Sequence, residues 1–313
     1  MGKLAFVFPG QGAQTVGMGK EFYEGYDLGK KLFDEADEAL GYSIRKLCFE
    51  GPAEELTLTA NTQPAILTVS VIAASLLRER GIMPEVAAGH SLGEYSALVL
   101  AGVLDFQDAV RLVHKRGAFM QEAVPVGEGA MAAVLGLERD KIVAVCEEIS
   151  RESPVQAVNF NCPGQTVIAG AKAGVEKATE ALSAAGAAKC VILPVSAPFH
   201  STLMAPAARK LAAELDKVEI HDAAFPVVSN YTGELESKAA EIKENLVKQA
   251  DHPVKWEDCV AAMVAFGATH FVEAGPGKTL CGFNKRIDRT LKNMNVENPV
   301  SLEKTLDTLK EVR

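Results

Sequence analysis

The chain has 313 residues, enough for one large α/β domain or a domain with an insertion, and it can bury a substantial core. Its net charge of −9 argues against a general nucleic-acid binder, because neutralising phosphates requires a basic surface. The six cysteines lie far apart and outside metal-ligand spacings, so we expect no disulfide framework and no zinc site. No motif in the sequence indicates another metal or a bound cofactor. We find no signal sequence and no apolar run approaching membrane-spanning length, and we therefore expect a cytoplasmic protein without a membrane role.

The N-terminal third predicts a strand, a loop and a helix. Residues 3–8 form an apolar run typical of a buried strand, and the glycine-rich loop 9–14 (Pro-Gly-Gln-Gly-Ala-Gln) follows it. Ligands bind at the carboxyl ends of strands in open α/β sheets, although a flexible turn is the simpler interpretation of the loop alone. The loop does not have the spacing of a dinucleotide fingerprint. A helix is predicted over 61–80, with Pro64 in its first turn and Gly81 as its stop signal.

A Gly-x-Ser-x-Gly pattern centred on Ser91 lies between a short apolar run and a predicted helix. This context is typical of a nucleophile elbow, whose tight turn needs small residues two positions either side of the serine. The turn lifts the hydroxyl clear of the sheet, and the helix N-terminus directs backbone N–H groups at any negative charge that forms there. A plain turn is the alternative, but the strand and helix around the pattern favour a nucleophilic Ser91.

The next helix is predicted to begin after Asp105, which can cap it, and to end near Ala123. It carries Arg116 and Met120, which are four residues apart and therefore share a face. Position alone favours a solvated surface arginine over a functional one.

From residue 129 onward the element order changes to β-α-β-β-α-β, which is ferredoxin-like. The predicted elements, in order, span 130–135, 139–151, 155–160, 166–169, 175–185 and 188–195. Proline-bearing segments at 124–127 and 194–198 border them, as is typical of joints between domains. We therefore predict a small insert domain at 126–196 within a catalytic core formed by 1–125 and 197–313.

His200 follows the second joint, on a loop that leads into a predicted helix over 201–215. Taken alone it is a surface or interface histidine, but with the elbow present it is the best candidate for the base of Ser91. A last strand is predicted over 269–273. The turn after it resembles the end of a phosphate-binding loop, but Val272 stands where that motif requires glycine, so we reject a nucleotide site.

The segment 285–292 (Lys-Arg-Ile-Asp-Arg-Thr-Leu-Lys) is locally basic in an acidic protein. A solvated helix face is the usual explanation, and a docking site for an acidic partner is the alternative.

Six separated segments together resemble the malonyl-CoA:acyl carrier protein transacylase family of type II fatty acid synthesis. They are FPGQG at 8–12, GHSLGE at 89–94, RG with MQ at 116–121, NFNCPGQ at 159–165, FHS at 199–201 and EAGPG at 273–277. The resemblance covers nearly the whole chain. It implies an α/β-hydrolase-like core with a parallel sheet and an inserted ferredoxin-like domain, which the order of elements also indicates.

The resemblance assigns roles to individual residues. It implies that Ser91 is the acylated nucleophile, that His200 is its general base, and that the backbone N–H groups of Gln11 and Leu92 form the oxyanion hole. Arg116 would hold the malonyl carboxylate, because a planar guanidinium grips a carboxylate bidentately in a way that lysine cannot.

Further positions follow from the same resemblance. Gln249 matches the residue whose backbone carbonyl orients the histidine ring, which favours a Ser-His dyad over a triad. Met120, Asn159 and Phe199 would line the substrate site. Phe199 matches the malonyl-selecting form of the family, in which a bulky aromatic side chain disfavours a branched α-carbon.

The implied reaction is a ping-pong transfer from malonyl-CoA, through a malonyl-serine, to the 4'-phosphopantetheine thiol of acyl carrier protein. We expect the carrier protein as a transient partner, a monomer, and no bound cofactor. Three alternatives stay open from the sequence: a serine hydrolase or thioesterase of the same fold, an acyltransferase serving a polyketide pathway in trans, and a catalytically silent docking module.

Overall fold

The computed structural model describes residues 2–195 and 197–312. Ser196, which ends the predicted insert, lies outside the described residues. The strands are β1 (Lys3–Phe8), β2 (Val86–Gly89), β3 (Gly129–Leu135), β4 (Val155–Cys162), β5 (Gln165–Ala171), β6 (Lys189–Ile192), β7 (Val227–Val228), β8 (Leu235–Glu236), β9 (Ala268–Ala274) and β10 (Lys292–Val296). The helices are α1 (Lys20–Gly25), α2 (Asp27–Leu40), α3 (Ile44–Glu50), α4 (Ala53–Thr57), α5 (Thr59–Glu79), α6 (Leu92–Leu100), α7 (Phe106–Glu122), α8 (Arg139–Ile149), α9 (Lys172–Ala184), α10 (Ala205–Leu215), α11 (Ala239–Gln249), α12 (Trp256–Ala265), α13 (Thr279–Ile287) and α14 (Pro299–Val312).

The larger sheet has the order β10-β9-β1-β2-β7-β8. Every pair in it is parallel except β7 with β8, so the predicted parallel sheet is confirmed with the correction that one edge strand is antiparallel. Strands β1 and β2 are buried along almost their whole length, which explains their near-continuous apolar sequences. Phe8 pairs with Gly89, so the glycine-rich loop after β1 and the turn after β2 start side by side.

Helix α5 is the main core helix on one face of this sheet. It is long and apolar enough to cross a membrane by length and composition, so the statement that no run approaches that length was wrong. However, 89% of its most apolar window is buried inside the protein, where it contacts α6 and α7. The helix therefore supplies core packing.

The smaller sheet has the order β4-β5-β3-β6, and all of its pairs are antiparallel. With α8 and α9 it encloses its own apolar cluster, and the ferredoxin-like order predicted from the sequence is confirmed. Strand β6 is shorter than the predicted 188–195, in keeping with the missing backbone N–H of Pro194. The division into a core and an insert at 126–196 stays a prediction.

Two helix predictions need correction. The segment 201–215 starts as a 3-10 turn at Thr202–Met204 before α10 begins. The basic segment 285–292 is not one helix face, because α13 ends at Ile287 and β10 begins at Lys292. Between them the Asp288 carboxylate accepts hydrogen bonds from the backbone N–H and the hydroxyl of Thr290, which favours a turn.

Candidate active site

The turn after β2 holds Ser91 in an unusual backbone conformation, with φ 52° and ψ −104°. A Cβ added to Gly89 would lie 1.8 Å from the carbonyl carbon of Gly93, and one added to Gly93 would lie 2.1 Å from the carbonyl oxygen of Phe8. Both positions therefore require glycine, as the elbow pattern predicts.

Asn230, just after β7, clamps this turn from the neighbouring strand. Its Oδ1 accepts from the backbone N–H of Ser91 at 2.6 Å, and its Nδ2 donates to the carbonyl of Gly89 at 2.7 Å. Asn230 was not predicted as a site residue, because the stretch 229–233 (Ser-Asn-Tyr-Thr-Gly) is typical of an ordinary turn.

Ser91 and His200 meet in space although 109 positions separate them. The Oγ of Ser91 lies 2.7 Å from Nε2 of His200, and Nδ1 of His200 lies 2.8 Å from the backbone carbonyl oxygen of Gln249. Gln249 is the last residue of α11, where helix carbonyls have no partner within the helix. A carbonyl can only accept, so the proton sits on Nδ1, and Nε2 is free to accept the serine proton.

The His200 side chain is almost completely buried. Burial, and secondly the positive charge of Arg116, lower the pKa of His200 to about 3. The ring is therefore neutral at pH 7, the form that acts as a general base.

Arg116, on α7, is 1% exposed and reaches the dyad. Its Nη1 donates to Oε1 of Gln63 at 2.8 Å, and its Nη2 donates to Oε1 of Gln249 at 2.9 Å and to Oγ of Ser91 at 3.1 Å. Among the residues that the structure describes, no carboxylate forms an ion pair with Arg116. Among these residues the guanidinium is hydrogen-bonded only to neutral groups and Glu94 attracts it without direct contact, so a substrate anion can still pair with it.

Glu94, in the first turn of α6, is fully buried behind the dyad. Its Oε2 accepts from Nε2 of Gln249 and from the backbone N–H of Asn230, each at 2.9 Å. Burial raises the pKa of Glu94 to about 7 and that of the neighbouring Glu236 to about 8. Glu94 belongs to the motif at 89–94, but the sequence assigned it no role, although a carboxylate within the apolar helix α6 is a signal for a buried polar network.

A cavity of about 120 Å³ lies over the serine. All the remaining predicted site residues line it: Gln11, Leu92, Met120, Asn159 and Phe199. The backbone N–H groups of Gln11 and Leu92 donate to no described residue, so both are available to a ligand. A second cavity of about 420 Å³ shares Gln11 and Asn159 with the first and continues along the loop 9–14.

His90, next to the nucleophile, turns toward the smaller sheet. Its Nε2 lies 2.8 Å from Oδ1 of Asn161, and the ring packs near Trp256. Within residues 2–195 and 197–312, no group of three or more His, Cys, Asp or Glu side chains could hold a metal ion.

The basic residues near the end of α13 differ in their contacts. Arg286 donates to Oε1 of Gln165 at 3.0 Å and to the carbonyl of Pro163 at 3.1 Å, and it thereby ties α13 to the β4–β5 turn. Lys285 and Arg289 are exposed beside it.

Comparisons with known proteins agree with this geometry. Residues 5–309 match the acyl transferase domain family. The chain is 51% identical over 312 residues to the malonyl CoA-acyl carrier protein transacylase of Bacillus subtilis (strain 168), covering 99% of this chain and 98% of that protein. The crystal structure of an acyl carrier protein S-malonyltransferase from Vibrio cholerae is 46% identical, with a TM-score of 0.95 and coverage of 97% and 99%. A malonyl-transacylase in complex with a holo type II polyketide acyl-carrier protein is 45% identical, with a TM-score of 0.95 and coverage of 98% and 99%.

Proposed function

Since the chain belongs to the acyl transferase family and, within it, to the malonyl CoA-acyl carrier protein transacylases, we propose that Ser91 and His200 perform its transfer chemistry. The reaction moves a malonyl group from malonyl-CoA to the phosphopantetheine thiol of an acyl carrier protein and supplies fatty acid synthesis.

The observation that carries the assignment of substrate is the buried Arg116. Its guanidinium lies 3.1 Å from the Oγ of Ser91 and has no anionic partner among the described residues. A malonyl thioester has a carboxylate two bonds from its reacting carbonyl carbon, so one molecule can reach both groups. Acetyl-CoA lacks that carboxylate and leaves the charge uncompensated. Malonyl selection by Arg116 follows.

In the first half-reaction, the Oγ of Ser91 attacks the thioester carbonyl of malonyl-CoA while Nε2 of His200 takes the hydroxyl proton. The N–H groups of Gln11 and Leu92 stabilise the oxyanion, at about 3 kcal/mol for each donor. Collapse of the tetrahedral intermediate breaks the carbon–sulfur bond, and His200 returns the proton to the CoA thiolate. The result is a malonyl ester on Ser91 and free CoA.

In the second half-reaction, the phosphopantetheine thiol enters where CoA has left. His200 takes its proton, the thiolate attacks the malonyl ester, and the same proton returns to the Oγ of Ser91 as that bond breaks. The adjoining 420 Å³ cavity is suited to an extended pantetheine arm.

Water must not replace the thiol as acceptor. Met131, Leu193 and Val195, from the proposed insert at 126–196, line the 120 Å³ cavity and narrow it with apolar side chains. We therefore expect slow hydrolysis of the malonyl-enzyme when carrier protein is absent. Rapid hydrolysis would contradict this role of the insert and favour a thioesterase.

Intact-protein mass spectrometry tests the assignment directly. We expect one malonyl adduct after mixing with malonyl-CoA, no adduct with Ser91→Ala, and loss of the adduct when holo carrier protein is added. An adduct that persists in Ser91→Ala would refute the proposed nucleophile. Running the chase with fatty-acid and polyketide carrier proteins side by side identifies the pathway that the enzyme prefers.

The carrier protein is the expected transient partner, and we propose that it docks at Lys285 and Arg289, which line a separate surface cavity of about 390 Å³. Phe283, two residues before Lys285, lines the 420 Å³ cavity. An acidic partner is attracted to these two exposed cations. Charge reversal at Lys285 and Arg289 should raise the KM for carrier protein and leave malonylation by malonyl-CoA unchanged. Arg286 is avoided in this test because it also bonds to Gln165 and Pro163. An unchanged KM would remove this surface from consideration.

We further propose a cytoplasmic monomer. The net charge of −9 and the burial of the apolar helix α5 support a protein that needs neither a membrane nor a partner copy to cover its core. Sedimentation at micromolar protein concentration tests whether the protein is a monomer.

A further inference from the structure

We infer that Glu94 is a positioning residue, whose single oxygen Oε2 holds the side chain of Gln249 and the backbone of Asn230, the two residues that keep Ser91, His200 and Arg116 in place. The inference deepens the proposed roles of those three residues and rests on them. Glu94 has no exposed surface, and both of its hydrogen bonds converge on Oε2, while Oε1 has no partner among the described residues.

The first connection from Glu94 to the site passes through the side chain of Gln249. Its Nε2 donates to Glu94 at 2.9 Å and to the carbonyl oxygen of Ser91 at 3.0 Å, while its Oε1 accepts from Arg116. An amide turned the other way would place its oxygen against the Glu94 acceptor and its NH₂ against the guanidinium. The carboxylate thus selects the orientation in which Gln249 accepts from Arg116.

The same residue also sets the base. The backbone carbonyl of Gln249 accepts from Nδ1 of His200, so the hydrogen bond that the Gln249 side chain donates to Glu94 restrains the end of α11 that orients the ring. One buried carboxylate is therefore connected to both the base and the anion-binding cation.

The second connection from Glu94 to the site passes through Asn230. Its backbone N–H donates to Glu94, and its side chain clamps Ser91 and Gly89. A loss of the Glu94 acceptor would free the segment that holds the turn in its positive-φ conformation.

The indirect link between Glu94 and Arg116 also bears on specificity. A direct ion pair would neutralise the guanidinium and compete with the substrate carboxylate. Because the neutral amide of Gln249 stands between them, Glu94 attracts Arg116 only at longer range, and the guanidinium N–H groups stay free of a direct carboxylate partner among the described residues.

The test compares Glu94→Leu, Glu94→Gln and the matched control Glu236→Leu. Glu236 is also a buried carboxylate and lies near Glu94, but it accepts its hydrogen bond from Asn245 and bonds to neither Gln249 nor Asn230 among the described residues. The measured quantities are kcat/KM for malonyl-CoA, the malonyl-to-acetyl selectivity and the melting temperature. Selectivity is informative because a merely structural role would lower both activities in proportion to the folded fraction.

We expect Glu94→Leu to lose about 10- to 100-fold in kcat/KM for malonyl-CoA, the scale of unpairing buried donors, together with most of its malonyl selectivity. Glu94→Gln should stay within about threefold of wild type, because its carbonyl oxygen can accept both hydrogen bonds. Glu236→Leu should retain wild-type kinetics. Selectivity unchanged in Glu94→Leu, or Glu94→Gln losing as much as Glu94→Leu, would overturn the inference.

A second variant guards against poor folding of Glu94→Leu. Gln249→Met removes the side-chain amide that joins Glu94 to Arg116 and keeps the backbone carbonyl that accepts from His200. It should lose selectivity to a similar extent, and combining it with Glu94→Leu should add little, because both remove one connection. Unchanged selectivity in Gln249→Met, or fully additive losses in the double variant, would refute the connection from Glu94 through Gln249 to Arg116. Wild-type adduct formation on Ser91 reports on the transacylase roles independently of every one of these variants.

Discussion

Replacing Arg116 by lysine keeps the positive charge and removes the planar fork, so it tests whether geometry or charge selects malonyl. In the wild type, two different nitrogens reach two buried amide oxygens, on Gln63 at 2.8 Å and on Gln249 at 2.9 Å. The single Nζ of lysine cannot satisfy both and also hold a substrate carboxylate. At least one buried acceptor then loses its donor, at a cost of ~1–3 kcal/mol.

That cost corresponds to roughly a 5- to 150-fold loss in kcat/KM for malonyl-CoA, since each 1.4 kcal/mol is a factor of ten. Arg116→Ala, which leaves the substrate carboxylate without its cation, should lose more, ~3–5 kcal/mol. The assay is quenched-flow formation of the malonyl-Ser91 adduct over a range of malonyl-CoA concentrations, with acetyl-CoA as the second substrate. Both variants should lose malonyl activity out of proportion to acetyl activity.

Arg111→Lys is the matched control, because Arg111 lies on the same helix but is exposed and bonds only to Asp108 and Gln107 among the described residues. It should leave both substrates unaffected. A malonylation rate for Arg116→Lys within twofold of wild type, with an unchanged melting temperature, would refute bidentate binding. Malonyl selection would then depend on the positive charge alone.

Three further predictions concern stability and protonation. Because burial and Arg116 depress the pKa of His200 to about 3, nitrogen-detected NMR should find its ring neutral, with the proton on Nδ1, from pH 8 down to pH 5; a midpoint near 6.5 would contradict the buried dyad. Gly93→Ala places a methyl group 2.1 Å from the Phe8 carbonyl and should destabilise the fold by ~1–3 kcal/mol or more, measured by urea unfolding. The folded-state pKa of Glu236 is raised to about 8, so the folded protein binds more protons than the unfolded chain between pH 4.5 and 8, and stability falls as pH rises through that window. Glu236→Gln should therefore raise the melting temperature more at pH 8 than at pH 5, and an equal change at both would argue against a buried ionising carboxylate.

The sequence predicted those parts of the site that local patterns encode. The elbow at Ser91 and the ferredoxin-like order of strands and helices around the smaller sheet follow from short-range periodicity and turn chemistry, and the family indicated by the separated motifs is confirmed. Strands β7, β8 and β10 of the larger sheet were not predicted. Local pattern failed at 285–292, where the turn at Asp288 ends a run of basic residues that otherwise suits a helix.

The hydrogen-bond network around Ser91, His200 and Arg116 could not be predicted from local sequence patterns. Gln63, Asn230 and the side chain of Gln249 act on partners 53, 139 and 133 positions away, and nothing in their neighbouring residues indicates those partners. Their amide chemistry becomes informative only once the fold brings a buried guanidinium and a strained turn beside them.

Among the described residues, the non-glycine positions with positive φ are Ser91 and His200, at 52° and 63°. Such conformations cost on the order of 1–3 kcal/mol each, so the two dyad residues are both ones that the backbone alone disfavours. Glycine at either position would relieve that cost and abolish catalysis. Selection of this protein for thermal resistance alone would therefore tend to enrich inactive variants, and a stabilisation campaign has to retain an activity screen at these two sites.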